Sequence, residues 1–384
     1  MGTGLATVAL GLLAYDLAGD QAGLVLGTAL TIKMLAYVTL APIAAAFTEQ
    51  LNRRSMLVVL DLIRAVAAFC LLFVDAIWQI YALIFVLQAS SAAFTPTFQA
   101  TIPDILPDET DYTNALSLSR LAYDLESLLS PILAAALLTL MPFDTLFLGT
   151  VLGFLASAIL VRTVSLPSPK PSKPRGVWDR TTRGLRIYLA TPRLRGLLAM
   201  CFTLSMVGSM VLVNTVVLVR ATLGYGDTAV ALTLCGFGAG SVTLALIIPQ
   251  MLQSHSDRAV MLAGAWAMCL AGLGLTVWAS VFGFSLVSLM TAWFVLGMGF
   301  SAILTPSGRL LRRSAAAEDR PALFAAQFTL SHACWLIGYP LSGWLMSRMD
   351  GATTLGILTA AGFLGLACAT RLWPAVPAPE RSAP

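Results

Sequence analysis

Charged residues are scarce in this sequence of 384 residues, since Asp, Glu, Lys and Arg together make up only 11% of it. A soluble domain carries about 25% charged residues, so this chain has too little polar surface to cover itself in water. Hydrophobic residues make up 58%, and they recur in runs of about 20, a length that crosses a bilayer as a helix. The composition therefore predicts an all-α membrane protein surrounded by the lipid bilayer.

Several residue types and motifs that would indicate other functions are missing. None of the three lysines follows a glycine, so the chain lacks the GxxxxGK[ST] loop of an ATP-driven pump. Two distant histidines, without HExxH or GxSxG, leave little chemistry for a membrane-embedded enzyme. Such an enzyme is kept as the second possible class of function. The six cysteines lack CxxC spacing and are predicted to be packing residues. We expect no cofactor, no metal site and no nucleic acid partner.

About twelve membrane helices are predicted from the apolar runs. The first six are Thr3–Leu17, Gly23–Phe47, Ser55–Val74, Trp78–Thr95, Thr113–Leu140 and Phe143–Val161. The second six are Gly196–Val219, Thr228–Leu252, Ala259–Ser280, Phe284–Thr305, Ala322–Ser347 and Ala352–Trp373. This pattern predicts a six-helix bundle over residues 1–164, a linker over 165–195, a second six-helix bundle over 196–374 and a tail over 375–384. Helix 1 is short and has no basic flank, which predicts that the native chain begins upstream.

The linker sets the predicted orientation in the membrane. It opens with the Pro-rich stretch SLPSPKPSKPR, which should be extended, and continues into a short amphipathic helix on the membrane surface. It carries eight basic residues against one acid, Asp179. The positive-inside rule therefore places the linker and both termini in the cytoplasm.

An internal repeat relates the two halves. The stretch FTPTFQATIPDIL corresponds to LTPSGRLLRRSAA, and both are predicted to end a membrane helix at Thr-Pro. SPILAAAL and YPLSGWLM also correspond, and they are separated by nearly the same number of residues as the first two stretches. Because each unit holds an even number of helices, the copies should be parallel repeats about an axis along the membrane normal.

The stretch AAAFTEQLNRRSML resembles the motif GxxxDRxGRR of the major facilitator superfamily. Arg53 and Arg54 match outright and Glu49 keeps the acid, whereas Ala45 and Gln50 depart from the motif. LLSPILAAAL is similar to the antiporter motif GPxxGG. The segment after helix 4 resembles the bacterial drug and siderophore exporter branch, of the drug:H+ antiporter-3 type. The resemblance implies two six-helix repeats, a bacterial cytoplasmic membrane, proton-coupled export and a gating charge clamp at the matched motif residues.

Three charges interrupt the apolar run of helix 5. At 100° per residue, Arg120 and Asp124 fall on one polar face opposite a leucine face, and they can pair at i, i+4. Glu126 lies on the adjoining stripe without a local partner. A charge at the bilayer centre costs about 3 kcal/mol or more, so these side chains should face the bundle. They are candidates for proton or substrate binding, or for a structural set of ion pairs.

Other polar side chains are predicted inside the membrane. Lys33 lies about a third of the way through helix 2 and could pair with Asp16, with Glu126 or with a substrate anion. His332 in helix 11 is either a packing residue or a proton relay. Asn214 and Gln88 are lesser candidates for the cavity.

The remaining charges of the first bundle are predicted to form a clamp. Asp61 and Arg64 lie one turn apart on helix 3, and Arg54 lies on the same face. We expect these residues to hold the connection between helices 2 and 3. The GFGAGS stretch at residues 236–241 is expected to pack helices closely and not to bind phosphate.

The favoured interpretation is a secondary active transporter of a small molecule, coupled to protons and working as a monomer by alternating access. Asp124 or Glu126 would carry the proton, because a carboxylate in a low-dielectric site can load and release one during the cycle. Export follows from the resemblance alone. An exporter of metal cations or of a siderophore and an uptake permease stay open, and product formation in detergent without a gradient would instead identify an enzyme.

Overall fold

The computed structural model describes residues 2–18, 22–48, 52–164, 166 and 177–374. Within these residues the chain forms thirteen α-helices and no β-strand. The first six are α1 Gly2–Ala18, α2 Ala22–Thr48, α3 Arg53–Cys70, α4 Ile77–Ile105, α5 Glu109–Leu138 and α6 Leu146–Thr163. The others are α7 Val177–Ala190, α8 Pro192–Val216, α9 Asp227–Ser254, α10 Asp257–Phe282, α11 Leu286–Arg312, α12 Arg320–Arg348 and α13 Gly351–Leu372.

Every predicted membrane helix overlaps one of these helices, and α7 is the predicted helix of the linker. Eight segments among the described residues are long and apolar enough to cross a membrane, and they lie in α3, α4, α6, α8, α9, α10, α11 and α13. α5 and α12 fall outside this set and contain several of the polar side chains that the sequence places inside the membrane. We call α1–α6 the first half and α8–α13 the second half.

The predicted ends of two helices at a Thr-Pro pair are wrong. α4 does not end at Thr95 and α11 does not end at Thr305, because both helices continue through Pro96 and Pro306 to the bounds given above. A proline removes one backbone N–H, but side-chain hydroxyls can bond carbonyls within a membrane helix. The Thr97 hydroxyl, for example, donates to the carbonyl one turn earlier at 2.8 Å.

The outer face of α3 shows how these helices meet lipid. Val59, Leu62, Val66 and Phe69 are exposed along one side of the helix. The opposite side buries Asp61 completely. An apolar face of this length would be unfavourable in water, whereas it matches the hydrocarbon core of a membrane.

Glycines bring α9 and α11 into close contact. A Cβ atom on Gly240 would lie 1.9 Å from the carbonyl oxygen of Phe294, and one on Gly297 would lie 1.9 Å from the carbonyl oxygen of Phe237. Small residues let two backbones approach where packing must hold helices together without a hydrophobic driving force. The expectation that the GFGAGS stretch packs helices is thereby confirmed.

One end of the structure holds the ends of α2, α4, α6, α9 and α11 and the starts of α3, α5, α7, α10 and α12, and we call it the linker end. Between the halves, α2 and α4 pack against α12, and α5 packs against α9 and α11. α7 lies beside the start of α12, where Arg183 contacts Asp319 through two hydrogen bonds of 2.5 and 2.8 Å. The halves are therefore in contact through four pairs of helices and through the linker.

Candidate functional site

Aromatic and polar side chains of α2, α4 and α12 meet at mid-depth. The Tyr37 hydroxyl donates to Gln88 Oε1 at 2.8 Å, which ties α2 to α4. The Tyr37 ring lies 4.8 Å from that of Phe328 and 4.9 Å from that of His332, both on α12. Lys33 lies one helical turn before Tyr37, with Nζ 5.7 Å from the centre of its ring. The structure thus brings three predicted candidates, Lys33, Gln88 and His332, together around a tyrosine that sequence reasoning missed.

The charges of α5 are distributed over different contacts. Arg120 Nε donates to the Ser241 hydroxyl of α9 at 3.2 Å, and its guanidinium lies 4.5 Å from the ring centre of Phe300 on α11. Glu126 accepts a hydrogen bond from the Gly4 amide of α1 at 3.3 Å. The side chain of Asp124 lies outside the described residues, so its pairing with Arg120 stays a prediction. Arg120 therefore joins the two halves, whereas this contact of Glu126 lies within the first half.

A cavity of about 490 Å³ lies beside α4 and α5, with Tyr123 and Glu126 among its lining residues. Asn214, in contrast, lies within the second half, where its amide donates to the Ser342 hydroxyl of α12 at 2.9 Å. It is 2% exposed, so its contact joins α8 to α12 and does not line a space between the halves.

The Asp61–Arg64 pair is buried within the first half. Arg64 Nη2 donates to Asp61 Oδ1, and the Ser157 hydroxyl of α6 donates to Asp61 Oδ2 at 2.8 Å. The Arg64 guanidinium lies 3.9 Å from the ring centre of Phe94 and 4.7 Å from that of Phe154. These contacts join α3 to α4 and α6, whereas residues 49–51 of the α2–α3 connection, which the sequence suggested as the partner, lie outside the described residues.

The other predicted clamp residues lie at the α2–α3 connection. Arg54 is exposed there, and Glu49 lies outside the described residues. Their predicted part in a gate stays a prediction. Arg53, by contrast, is buried and reaches another helix.

An ion-pair network that starts at Arg53 closes the linker end. Arg53 Nη1 lies 2.6 Å from Asp104 Oδ2, and Arg320 Nη1 lies 2.7 Å from Asp104 Oδ1. Arg53 begins α3, Asp104 lies in the last turn of α4 and Arg320 begins α12. Because Arg320 belongs to the second half, Asp104 joins the halves. We call these three residues the first clamp.

A second network has the same layout with every charge reversed. Asp257 begins α10, Arg313 directly follows the last residue of α11 as its C-cap, and Glu109 begins α5 of the opposite half. Arg313 lies 2.8 Å from the Asp257 carboxylate and 2.6 Å from the Glu109 carboxylate. Arg309 adds contacts of 3.3 Å to Asp257 and 3.2 Å to Glu109, and donates to the Thr113 hydroxyl at 2.9 Å. We call Asp257, Arg313 and Glu109 the second clamp.

The two clamps occupy corresponding places in the two halves. Each runs from the start of a half's third helix to the end of its fourth, and from there to the start of the fifth helix of the other half. The signs are positive, negative, positive in the first clamp and negative, positive, negative in the second. Residues 104–111 carry four acids and no Lys or Arg, whereas residues 309–320 carry four arginines, and this opposite charge is the sequence signal that could have joined them.

The helix start beside the second clamp is capped by a carboxylate. Asp108 accepts hydrogen bonds from the amides of Asp111 at 3.0 Å and Thr110 at 2.8 Å. These backbone hydrogen bonds lower the pKa of the Asp108 carboxyl group, because they favour its ionised form. The cap therefore holds the first turn of α5, and with it Glu109, in place.

Comparisons with known proteins agree with this helical arrangement. The family model described as Major Facilitator Superfamily matches residues 1–244 and 198–384, which together span the chain. The uncharacterised MFS-type transporter YfiS of Bacillus subtilis strain 168 is 22% identical over 307 residues, covering 76% of this chain and 71% of that protein.

Two further proteins are similar to this chain. Macrolide efflux protein A of Streptococcus pyogenes is 25% identical over 149 residues, which is 38% of this chain and 36% of that protein. The crystal structure of the human organic anion transporter MFSD10 (TETRAN) superposes with a TM-score of 0.77 at 14% identity, over 94% of this chain and 89% of that chain. This last similarity concerns the fold.

Proposed function

The chain belongs to the major facilitator superfamily, and on that premise we propose that this MFS transporter exports a small molecule in exchange for protons. In this proposal twelve of the helices span the cytoplasmic membrane of a bacterium as two six-helix bundles. These bundles take in residues 1–164 and 196–374, and residues 165–195 link them on the cytoplasmic side. The single observation that carries the proposal is the pair of clamps that hold the halves together at one end.

The clamps support alternating access because they are reversible contacts at one end of the interface. The contacts described between the halves lie either at the linker end or at mid-depth, where Arg120, Tyr37 and His332 meet the opposite half. Breaking the clamps would let the linker ends separate while the other ends approach. Rocking of two bundles around a central site is the expected mode of such transporters.

Proton coupling is assigned in this proposal to the acids of α5. Glu126 has one oxygen within hydrogen-bonding distance of the Gly4 amide, a contact that protonation of the carboxylate would weaken. Asp124 and His332 are the alternatives. Export, rather than uptake, is supported by the partial similarity to a macrolide efflux protein.

Transport in proteoliposomes under an imposed pH gradient tests the proposal. A panel of macrolides, siderophores, metal cations and aromatic anions should contain a compound that moves against its gradient only when a pH gradient is present. Glu126→Gln should abolish this uphill movement and keep substrate exchange, which needs no net proton movement. Asp75→Asn, an exposed acid in the α3–α4 connection, is the control and should transport normally.

Two results would contradict the proposal. Flux that is identical with and without a pH gradient would remove proton coupling. Undiminished uphill transport by Glu126→Gln would exclude this residue as the carrier and leave Asp124 or His332.

A further inference from the structure

We propose that Lys33 is the counter-ion for an anionic group on the transported molecule, and that this molecule carries an aromatic body beside the anion. The inference rests on the transport function proposed above and names its substrate class. An organic anion with a carboxylate or sulfonate next to a ring system has this chemistry.

The contacts of Lys33 differ from those of the other cations at mid-depth. Arg64 is paired with Asp61, and Arg120 bonds Ser241 across the interface. Among the described residues no carboxylate lies within ion-pairing distance of Lys33, whose nearest described polar contact is the ring face of Tyr37. A lone cation within the bilayer is unfavourable and marks a functional position by default. A bound anion would supply the missing partner.

The position of Lys33 places it where a ligand could meet both halves. On the same face of α2, Tyr37 packs against Phe328 and His332 of α12, and Ala41 continues this contact one turn nearer the linker end. Lys33 lies one turn beyond Tyr37 on the side away from the clamps. Lys33 is only partly buried, and it contacts the ring of Tyr37 that packs against α12.

The groups around Lys33 favour an aromatic body over a second charge. The rings of Tyr37, Phe328 and His332 lie within 5 Å of one another, with centres 4.2 to 4.9 Å apart. Tyr37 and His332 are only partly buried, and aromatic side chains of this kind can stack on a flat ligand. A cationic amine, by contrast, would be repelled by Lys33. The anion would therefore contact Lys33 while its ring packs on the aromatic cluster.

Binding of matched fluorescent probes to the purified full-length chain in detergent tests this inference. Dansylglycine carries a carboxylate, dansylglycinamide is its neutral amide and dansylcadaverine carries a cation on the same ring system. Removing a hydrogen bond to a charged group is expected to weaken binding about tenfold or more. Dansylglycine should therefore bind at least about tenfold more tightly than the amide, and dansylcadaverine should bind most weakly.

Variants of the lysines assign the effect to the site. Lys33→Gln should remove the preference for dansylglycine over its amide, and Lys33→Arg should keep most of it. Lys170→Gln removes one of the two other lysines of the chain and is the matched control, which should bind all three probes as the unaltered chain does.

The outcomes separate this inference from the transport function. Equal binding of dansylglycine and its amide, no binding of dansylglycine, or a preference that survives Lys33→Gln would each overturn the assignment of Lys33, whatever the flux measurements show. A Lys33-dependent preference without any vectorial flux in proteoliposomes would instead contradict the transport function and leave the anion site standing.

Discussion

Neutralising Asp104 should open the linker end of the protein. Asp104 holds Arg53 of its own half and Arg320 of the opposite half, at 2.6 and 2.7 Å. Asp104→Asn keeps the shape of the side chain and removes its charge. Two arginines would then lie at the first residues of α3 and α12 without a carboxylate, where the positive end of each helix dipole already disfavours a cation.

The expected free-energy change for Asp104→Asn follows from the exposure of the three side chains. This exposure is 7% for Arg53, 16% for Asp104 and 19% for Arg320. An exposed pair contributes about 0.2–1 kcal/mol, and loss of one partner of a fully buried pair costs about 3–5 kcal/mol. The first clamp lies between these limits. We expect a shift of about 1–2 kcal/mol, or roughly 5- to 30-fold, toward conformations with separated linker ends.

The second clamp should respond less strongly to the loss of its central charge. In Arg313→Gln, Asp257 and Glu109 would keep Arg309, which lies 3.3 and 3.2 Å away. Both acids also lie at helix starts, where the dipole stabilises a negative charge. The shift should therefore be smaller than for Asp104→Asn, about 1 kcal/mol or less.

Distances between spin labels at Thr110 and Ala316 measure the equilibrium between conformations with closed and with separated linker ends. Both positions are exposed at the linker end, on opposite halves, and the exposed cysteines Cys70 and Cys368 would first be replaced. Asp104→Asn should populate longer distances more than Arg313→Gln does.

Arg320→Gln should act in the same direction as Asp104→Asn. Arg348→Gln, on the same helix but at the opposite end, is the control and should leave the distances unchanged. Folded variants of Asp104 and Arg320 with unaltered distance distributions would refute the reasoning that the first clamp holds the halves together.

Two other expectations concern packing and orientation. Gly240→Val should lower the melting temperature in detergent, because its Cβ would lie 1.9 Å from a backbone oxygen of α11. Gly274→Val is the control and should melt close to the unaltered chain, because no atom lies within 4 Å of its Cβ. Equal melting temperatures of the two variants would contradict the close packing of α9 and α11. A topology reporter inserted at Lys173 or fused after Pro384 should read as cytoplasmic, and a periplasmic signal from either would contradict the proposed orientation.

The helices themselves could be predicted because the signal for them is local. A run of about 20 apolar residues is favourable only as a membrane-spanning helix, and the basic linker separates two such sets. The errors at Thr95 and Thr305 have a local cause as well. Proline normally ends helices in water, but in these helices the surrounding protein tolerates it.

The partners of the charged side chains were decided by the tertiary structure. Asp104 and Arg320 are 216 residues apart in the chain, and helical periodicity specifies neither the rotation of one helix against another nor their relative height. The same reason explains why Glu126 lies near the Gly4 amide, why Asn214 packs inside the second half and why Lys33 lies over the ring of Tyr37. The sequence by itself determined which segments form helices and that charges must turn inward, because these follow from transfer into lipid. Which charges meet depends on how distant helices pack, and packing is a property of the whole molecule.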